Sequence, residues 1–230
     1  LRTLWAMTWD NHVMQRRDGR WIADPGNGSL PRSMLLSMAQ TTGIGGARRQ
    51  WLGTGSHGLW YRDEGKRDWS QWHAEDIDAA QVESLLVTRD GDGEALWISA
   101  FGVGLLRLDA HGLRRWTQQN GELPTNQLYD IVATPQSSGK NAIWVASRSG
   151  LLRLHDGRVQ VFDRRHGLAS DVIRGLNAWR SPSGSQVLWL ATEAGISRTV
   201  LDGSAWSTAS LMGSRSLGVF DESGTLQRLI

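Results

Sequence analysis

Residues 53–58 read GTGSHG and match the G-x-G-x-x-G pattern of a dinucleotide-binding loop. In such a loop the glycines let the backbone approach a pyrophosphate at the N-terminus of a helix. Here the segment that follows, LWYR, favours a strand instead of a helix. We therefore interpret these residues as a turn between two strands, and we expect no nucleotide cofactor.

Residue types that bind metals are present, but their spacing does not build a metal site. Residues 90–94, DGDGE, resemble part of a calcium loop, yet such a loop needs more oxygen ligands at fixed positions. Of the six histidines, only His12 and His57 occupy comparable positions in an internal repeat, which favours solvated loop residues over a zinc pair. Cysteine, H-E-x-x-H and G-x-S-x-G do not occur. We predict no catalytic residue, no metal and no cofactor in this segment.

The composition is that of a folded protein without a dominant charge. The 230 residues include 25 basic and 23 acidic side chains, and the net charge of +2 gives no electrostatic reason to bind nucleic acid. No stretch approaches the roughly 18 apolar residues of a membrane helix. The sequence begins at Leu1 and not at Met, so we expect a processed protein or a piece of a longer one.

Tryptophans recur at nearly constant spacing and set the register of an internal repeat. The intervals between them are 46, 46, 47 and 45 residues, and each lies in a similar pentad: LWAMT, QWLGT, LWISA, IWVAS and LWLAT. These anchor tryptophans are Trp5, Trp51, Trp97, Trp144 and Trp189. Four short apolar segments fill each period, separated by Gly, Pro, Asp or Ser, and none has a helical period.

A period of this length with four short strands is typical of a β-propeller blade. Apolar residues flank the anchor tryptophan, which predicts that both faces of its strand are covered. Small residues stand two positions after it and would let a neighbouring blade approach closely. We predict an all-β fold: a β-propeller of about five four-stranded blades, closed or part of a larger propeller, forming a single domain over residues 1–230.

Other repeated positions predict details of each blade. Residues 216–221 could complete the first blade, whereas residues 225–230 resemble the start of a sixth repeat. Arginine recurs at one position, which favours a structural role; these residues are Arg107, Arg153 and Arg198. A second aromatic is expected to close each blade; the candidates are Trp21, Trp69 or Trp72, Trp116, Phe162 and Trp206.

Three segments resemble the two-component regulator propeller repeat: LPTNQLYDIVATPQ, AIWVASRSGLLRLHDGRVQVF and HGLASDVIRGLNAW. The resemblance covers about five copies, although the family's aspartate before the tryptophan is Pro135 in one copy and Ser181 in another. It implies the extracytoplasmic sensor region of a bacterial hybrid histidine kinase or diguanylate cyclase, with the catalytic module elsewhere in the protein. It therefore implies a periplasmic location, with membrane contact only through flanking segments.

Function in a repeat protein is expected where the repeat breaks, and it breaks most in the loops that follow the anchor strand. The candidate ligand-binding residues in these loops are Asp10, His57, Phe101, Arg148 and Glu193. In a propeller such loops would cluster near the axis on one face. Their mixed chemistry fits a polar ligand, either an unknown small molecule or a carbohydrate.

The leading hypothesis is a non-catalytic sensor propeller that binds a ligand, with a homodimer as a candidate assembly and no nucleic acid as a partner. One alternative is a carbohydrate-active propeller enzyme, a glycosidase or lyase, which would need two facing carboxylates. In the loops that follow the anchor strands, the candidates for these carboxylates are Asp10 and Glu193. The other alternative is a protein–protein interaction scaffold.

Overall fold

The computed structural model describes residues 4–46, 48–91, 93–202, 205–211, 218–220 and 226–228, and these are mostly β-structure. Within them the only helices are short 3₁₀ turns at Asn27–Ser29, Ile44–Gly46 and Arg164–His166. None of the described helices has the length and apolarity to cross a membrane. The predicted all-β fold class is thus confirmed.

The strands form antiparallel sheets in which the order in space follows the order along the chain. Sheet 1 contains β1 (Leu4–Met7), β2 (Val13–Arg17) and β3 (Arg20–Ala23). Sheet 2 contains β4 (Leu35–Thr41), β5 (Arg49–Thr54), β6 (Leu59–Asp63) and β7 (Ser70–Trp72). Sheet 3 contains β8 (Gln81–Asp90), β9 (Gly93–Phe101), β10 (Gly104–Asp109) and β11 (Gly112–Trp116).

The second half of the chain continues the same pattern. Sheet 4 contains β12 (Leu128–Pro135), β13 (Asn141–Ser147), β14 (Gly150–His155) and β15 (Arg158–Phe162). Sheet 5 contains β16 (Ile173–Arg180), β17 (Gln186–Thr192), β18 (Gly195–Asp202) and β19 (Ala205–Leu211). Sheet 6 is the hairpin of β20 (Gly218–Phe220) and β21 (Leu226–Arg228). Four strands joined by consecutive hairpins form a propeller blade.

The anchor tryptophans occupy the second strand of sheets 2 to 5, as the repeat predicts. Trp5 lies on β1, so sheet 1 corresponds to the last three strands of a blade. Residues 216, 217 and 221 lie outside the described residues, and completion of sheet 1 by residues 216–221 stays a prediction. Within the described part, β20 pairs with β21, as the first two strands of a sixth repeat would.

The described chain divides into two compact units, Leu1–Leu128 and Tyr129–Ile230, and each is described by itself. In the first unit, one apolar core joins sheets 2 and 3 around Trp51, Ile77 and Leu96, and a smaller one joins sheets 1 and 2. In the second unit, sheets 4 and 5 share a core around Trp144 and Leu188. The single domain over residues 1–230 stays a prediction.

Small residues allow the sheets to approach, as predicted. A Cβ atom placed on Gly53 would lie 2.6 Å from the carbonyl oxygen of Val82, which belongs to the next sheet. The predicted coverage of both faces also holds on β9, where Leu96 and Ile98 are fully buried. Because each sheet needs its neighbour to bury its second face, stacking of sheets produces the core.

The register of the strands identifies which aromatic closes each blade. Trp72 pairs with Leu59 on β6, and the equivalent residues of sheets 3 and 4 are Trp116 and Phe162. Trp72 is therefore the closing aromatic of sheet 2.

Two expected closing aromatics occupy other positions. Trp21 is 47% exposed. The closing position of sheet 1 belongs to the buried Asp24, whose backbone N–H donates to the carbonyl oxygen of Val13, the first residue of β2. In sheet 5, Trp206 pairs with Leu201, and Leu211 takes the closing position opposite Ile196. The outer hairpin of sheet 5 is longer than those of sheets 3 and 4 and moves Trp206 away from the closing position. The outer hairpin of sheet 1 has the same length as those of sheets 3 and 4, and Asp24 stands there in place of the aromatic.

Candidate functional site

The five candidate residues all lie at or beside the turn between the anchor strand and the strand that follows it. Asp10 lies between β1 and β2, and His57 between β5 and β6. Phe101 ends β9, whereas Arg148 and Glu193 lie in the turns after β13 and β17. The sequence therefore placed them at equivalent points of their sheets, and their role in binding stays a prediction.

A hydroxyl group fixes four of these five turns. It belongs to the last residue of the anchor pentad, lies within hydrogen-bond distance of a carbonyl oxygen across the turn and accepts from a backbone N–H within it. The hydroxyl-to-carbonyl pairs are Thr8 with His12, Thr54 with Gly58, Ser147 with Gly150 and Thr192 with Gly195. The pentads LWAMT, QWLGT, IWVAS and LWLAT contain this signal, which sequence reasoning missed.

The turn of sheet 3 is held in a different way, because its pentad ends in Ala100. Here the N–H of Gly102 donates to the carbonyl oxygen of Asn126 at 2.9 Å. The side-chain amide of Asn126 donates back to the carbonyl oxygen of Gly102 at 3.3 Å. Phe101 is half-buried beside this turn, unlike the polar candidates.

The first turn combines a carboxylate with an exposed aromatic ring. The hydroxyl of Thr8 donates to Asp10, and together with His12 it lowers the pKa of that carboxyl group. The neighbouring Trp9 is 90% exposed, which is unusual for so large an apolar side chain. A flat indole next to an ionised carboxylate can stack on a sugar ring or another apolar surface while the carboxylate accepts hydrogen bonds.

The second turn carries a chain of polar side chains. The hydroxyl of Ser56 lies 3.0 Å from the hydroxyl of Ser33 and 3.0 Å from Nδ1 of the exposed His57. The carbonyl oxygen of His57 accepts from the indole N–H of Trp60. This turn is the GTGSHG segment, and it joins two strands as predicted.

Glu193 in the fifth turn bonds to the guanidinium of Arg174 at 2.6 Å, and both side chains are about half exposed. Arg148 in the fourth turn is exposed. A glycosidase needs a carboxylic acid whose pKa is raised so that it stays protonated. Asp10, whose pKa is lowered, fits only the second carboxyl group of such a pair, the one that must be ionised.

Glu94, in the segment that resembles a calcium loop, binds protein groups instead of a metal ion. The carboxylate of Glu94 accepts from the N–H groups of Thr42 and Gly43, each at 2.6 Å, and pairs with Arg89. Its oxygens are therefore used to tie the β8–β9 hairpin to sheet 2. Among the residues that the structure describes, no group of three His, Asp or Glu side chains is placed to hold a metal ion.

The recurring arginines have the structural role that their repetition predicts. Each lies directly opposite the anchor tryptophan of its own sheet, on the next strand. The guanidinium carbons of Arg107, Arg153 and Arg198 lie 5.7, 5.6 and 5.7 Å from the ring centroids of Trp97, Trp144 and Trp189. Such cation–π contacts cover the indole on the sheet surface.

Comparison with solved structures finds chains of similar fold, among them extracellular domains of bacterial signalling proteins. The extracellular domain of the hybrid two-component system BT3049 from B. thetaiotaomicron has a TM-score of 0.61 and 16% identity, over 90% of this chain and 28% of that one. The extracellular domain of the one-component system BT4673 from the same organism has a TM-score of 0.59 and 15% identity, over 98% and 30%. PorZ, a surface component of the type-IX secretion system of Porphyromonas gingivalis, has a TM-score of 0.51 and 13% identity, over 90% and 33%.

This chain spans less than a third of the length of the first two structures. No protein-family profile and no curated protein matches the sequence. At these identities the likeness concerns the fold, and it agrees with the resemblance that the repeats carry. The chain has the β-propeller fold found in the extracellular domains of two-component signalling proteins.

Proposed function

We propose that this chain is a non-catalytic, ligand-binding sensor propeller of an extracytoplasmic signalling protein, either a two-component histidine kinase or a diguanylate cyclase. The observation that carries the proposal is that hydrogen bonds fix the turn after each anchor strand, by a hydroxyl in four of the five sheets, while the residues at its tip vary. A fixed backbone that presents different side chains is suited to recognition. The fold shared with extracellular domains of signalling proteins supports a sensor role in the periplasm.

The ligand that these tips fit best is a polar molecule with a flat apolar face, such as a carbohydrate. Trp9 offers an exposed ring for stacking, and Asp10 is an ionised acceptor beside it. His57 can donate or accept according to its tautomer. Binding would alter the placement of this segment within the longer protein and so change the activity of the attached module.

The test is a thermal-shift and calorimetric screen of the chain against neutral and acidic oligosaccharides. We expect at least one to raise the unfolding temperature, and the variant D10A/H57A/R148A/E193A to lose that response while it still folds. The matched control, S138A/R158A, changes exposed residues in hairpins at the opposite ends of the strands and should keep it. An unchanged response in the quadruple variant, or cleavage of any sugar in the panel, would overturn the proposal.

A further inference from the structure

A second site lies between sheets 1 and 2, at the opposite end of the strands from the candidate turns. A cleft of about 660 Å³ opens there, with Trp5 and Gln15 on one side and Gln40, Gln50 and Arg62 on the other. Gln50 precedes the turn residue Thr54 by four positions, which is roughly 13 Å along a strand. A cleft of this size accommodates a small organic molecule.

The wall that sheet 2 contributes breaks the repeat. Gln40, Gln50 and Arg62 are direct cross-strand neighbours and form one polar row across three strands. The equivalent row of sheet 3 is Val87, Leu96 and Leu108, and that of sheet 5 is Ala178, Leu188 and Thr199. On the row that faces the cleft, sheet 2 therefore has long polar residues where the other two sheets have two or three apolar ones.

A buried ion pair holds this row in place. The guanidinium of Arg62 donates to both oxygens of Asp24 at 2.6 and 2.8 Å, and the two side chains are 7% and 2% exposed. Arg62 also donates to the side-chain oxygen of Gln50 and to the carbonyl oxygen of Arg67. All of its donors are thus used, so Arg62 positions Gln50 and does not itself reach a ligand.

The groups left for a ligand are donors and cations. Arg17 donates a hydrogen bond to the side-chain oxygen of Gln15, and Arg62 donates one to that of Gln50. The side-chain NH₂ group of each glutamine is therefore available to donate to a ligand. Five basic and three acidic side chains line the cleft, and each carboxylate has an arginine partner. Among the described residues, no carboxylate pairs with Arg17 or Lys66. This surplus of positive charge and of N–H donors attracts anions.

We propose that the cleft between sheets 1 and 2 binds a small molecule that bears an anionic group, a carboxylate, sulfate or phosphate. Arg17 and Lys66 attract the charge, and the amide groups of Gln15 and Gln50 donate hydrogen bonds to its oxygens. Trp5, a half-buried residue on the opposite wall, offers an apolar surface to the rest of the molecule. The site is independent of the candidate turns and of the function proposed for them.

The experiment is calorimetric titration of the chain with D-glucuronate, inorganic sulfate and inorganic phosphate, with D-glucose as the neutral match of glucuronate. We expect at least one anion to bind, with an affinity that falls as salt is added. The variant R17A/K66A should weaken binding at least tenfold. Q15L, which removes one of the two amide groups that donate to the anion, should weaken it about fivefold without removing a charge.

The matched control, R158A/R180A, removes the same charge from exposed positions outside the cleft and should leave the affinity unchanged. Circular dichroism of each variant separates loss of binding from loss of fold. Binding of glucuronate alone identifies an organic acid, and equal binding of sulfate or phosphate identifies the anionic group itself as the determinant; both support the proposal. It is overturned if no anion binds, if glucose binds as well as glucuronate, or if R17A/K66A and the control lose affinity equally.

Discussion

At the scale of single residues, side-chain hydroxyl groups complete hydrogen bonds that the strand ladders leave open. The indole N–H groups of three anchor tryptophans donate to a buried threonine on the preceding strand, over 2.8 to 3.0 Å. These threonines are Thr41, Thr88 and Thr134. Other hydroxyls close the candidate turns. At the anchor tryptophans and in the turns of sheets 2 and 4, where these bonds are buried, a polar group would otherwise lack a partner, which is costly inside a protein.

Replacement of Thr54 by valine tests the turn hydroxyl of sheet 2. The change preserves the shape of a fully buried side chain but removes the bonds to the N–H of His57 and the carbonyl oxygen of Gly58. We expect a loss of about 1–2 kcal/mol in the free energy of unfolding. Urea denaturation measures it. The exposed Ser138→Ala should change stability by less than about 0.5 kcal/mol, and an equally small effect of T54V would contradict the role of the hydroxyl.

Glu94 should make stability depend on pH. Burial opposes its ionisation, but the N–H groups of Thr42 and Gly43, the Thr42 hydroxyl and Arg89 together lower its pKa from 4.5. Because the pKa is lower in the folded state, the stabilisation is complete above the unfolded value of about 4.5 and is lost as the pH falls through the folded value. We expect Glu94→Gln to cost about 1–2 kcal/mol at neutral pH and less in acid.

Thermal unfolding of both proteins between neutral and acidic pH measures this difference. Glu64→Gln is the control, because Glu64 forms only an exposed ion pair with Arg48. A constant difference between wild type and E94Q at every pH would show that the ionised carboxylate is not what ties the hairpin to sheet 2.

At the scale of the element, a glycine begins the third strand of sheets 3, 4 and 5. Gly150 has φ of +107°, a conformation that side chains rarely adopt. A Cβ atom there would also lie 2.4 Å from the carbonyl oxygen of Phe162, which belongs to the closing strand. Gly104 of sheet 3 has the same two constraints against Trp116. These two constraints explain why the GLLRL segment of both sheets begins with glycine.

Two glycines of sheet 4 separate these constraints. We expect Gly150→Ala to cost at least about 2 kcal/mol, because it combines backbone strain with a steric clash. Gly157→Ala at φ +73° should cost about 1–2 kcal/mol, since nothing lies within 4 Å of its new methyl group. Chemical denaturation of both variants measures the difference. Equal effects would mean that the approach of the closing strand does not require a glycine.

The strand pattern could be predicted from the sequence, whereas positions that depend on strand register could not. Spacing of the anchor tryptophans gave the sheets, because an indole on the second strand must meet the same neighbours in every copy. The closing positions of sheets 1 and 5 could not be predicted from the aromatics, because Asp24 replaces the aromatic in sheet 1 and a longer outer hairpin moves Trp206 in sheet 5. The cleft could not be found either, since Gln40, Gln50 and Arg62 become a row only through strand register.

At the scale of the whole molecule, the distribution of charge matters more than its total. The isoelectric point of about 9.5 would by itself suggest affinity for polyanions. However, the net charge is only +2, and many arginines are held by carboxylates or over aromatic rings. Among the described residues, Arg17 and Lys66 lie together at the cleft without a carboxylate partner, an arrangement suited to a small anion and not to a long phosphate backbone.

Binding to double-stranded DNA should therefore be weak. Nonspecific DNA-binding proteins reach dissociation constants of about 10⁻⁴ to 10⁻⁶ M at physiological salt by neutralising several phosphates at once. Arg17 and Lys66 alone can neutralise few phosphates, so we expect a constant weaker than about 10⁻⁴ M, with a shallow dependence on salt. Fluorescence anisotropy with a labelled duplex of arbitrary sequence measures the dissociation constant and its salt dependence. The variant R17A/K66A shows how much of the DNA affinity comes from the cleft. Micromolar binding with a steep salt slope would contradict this account, because it would require a basic surface that extends well beyond the cleft.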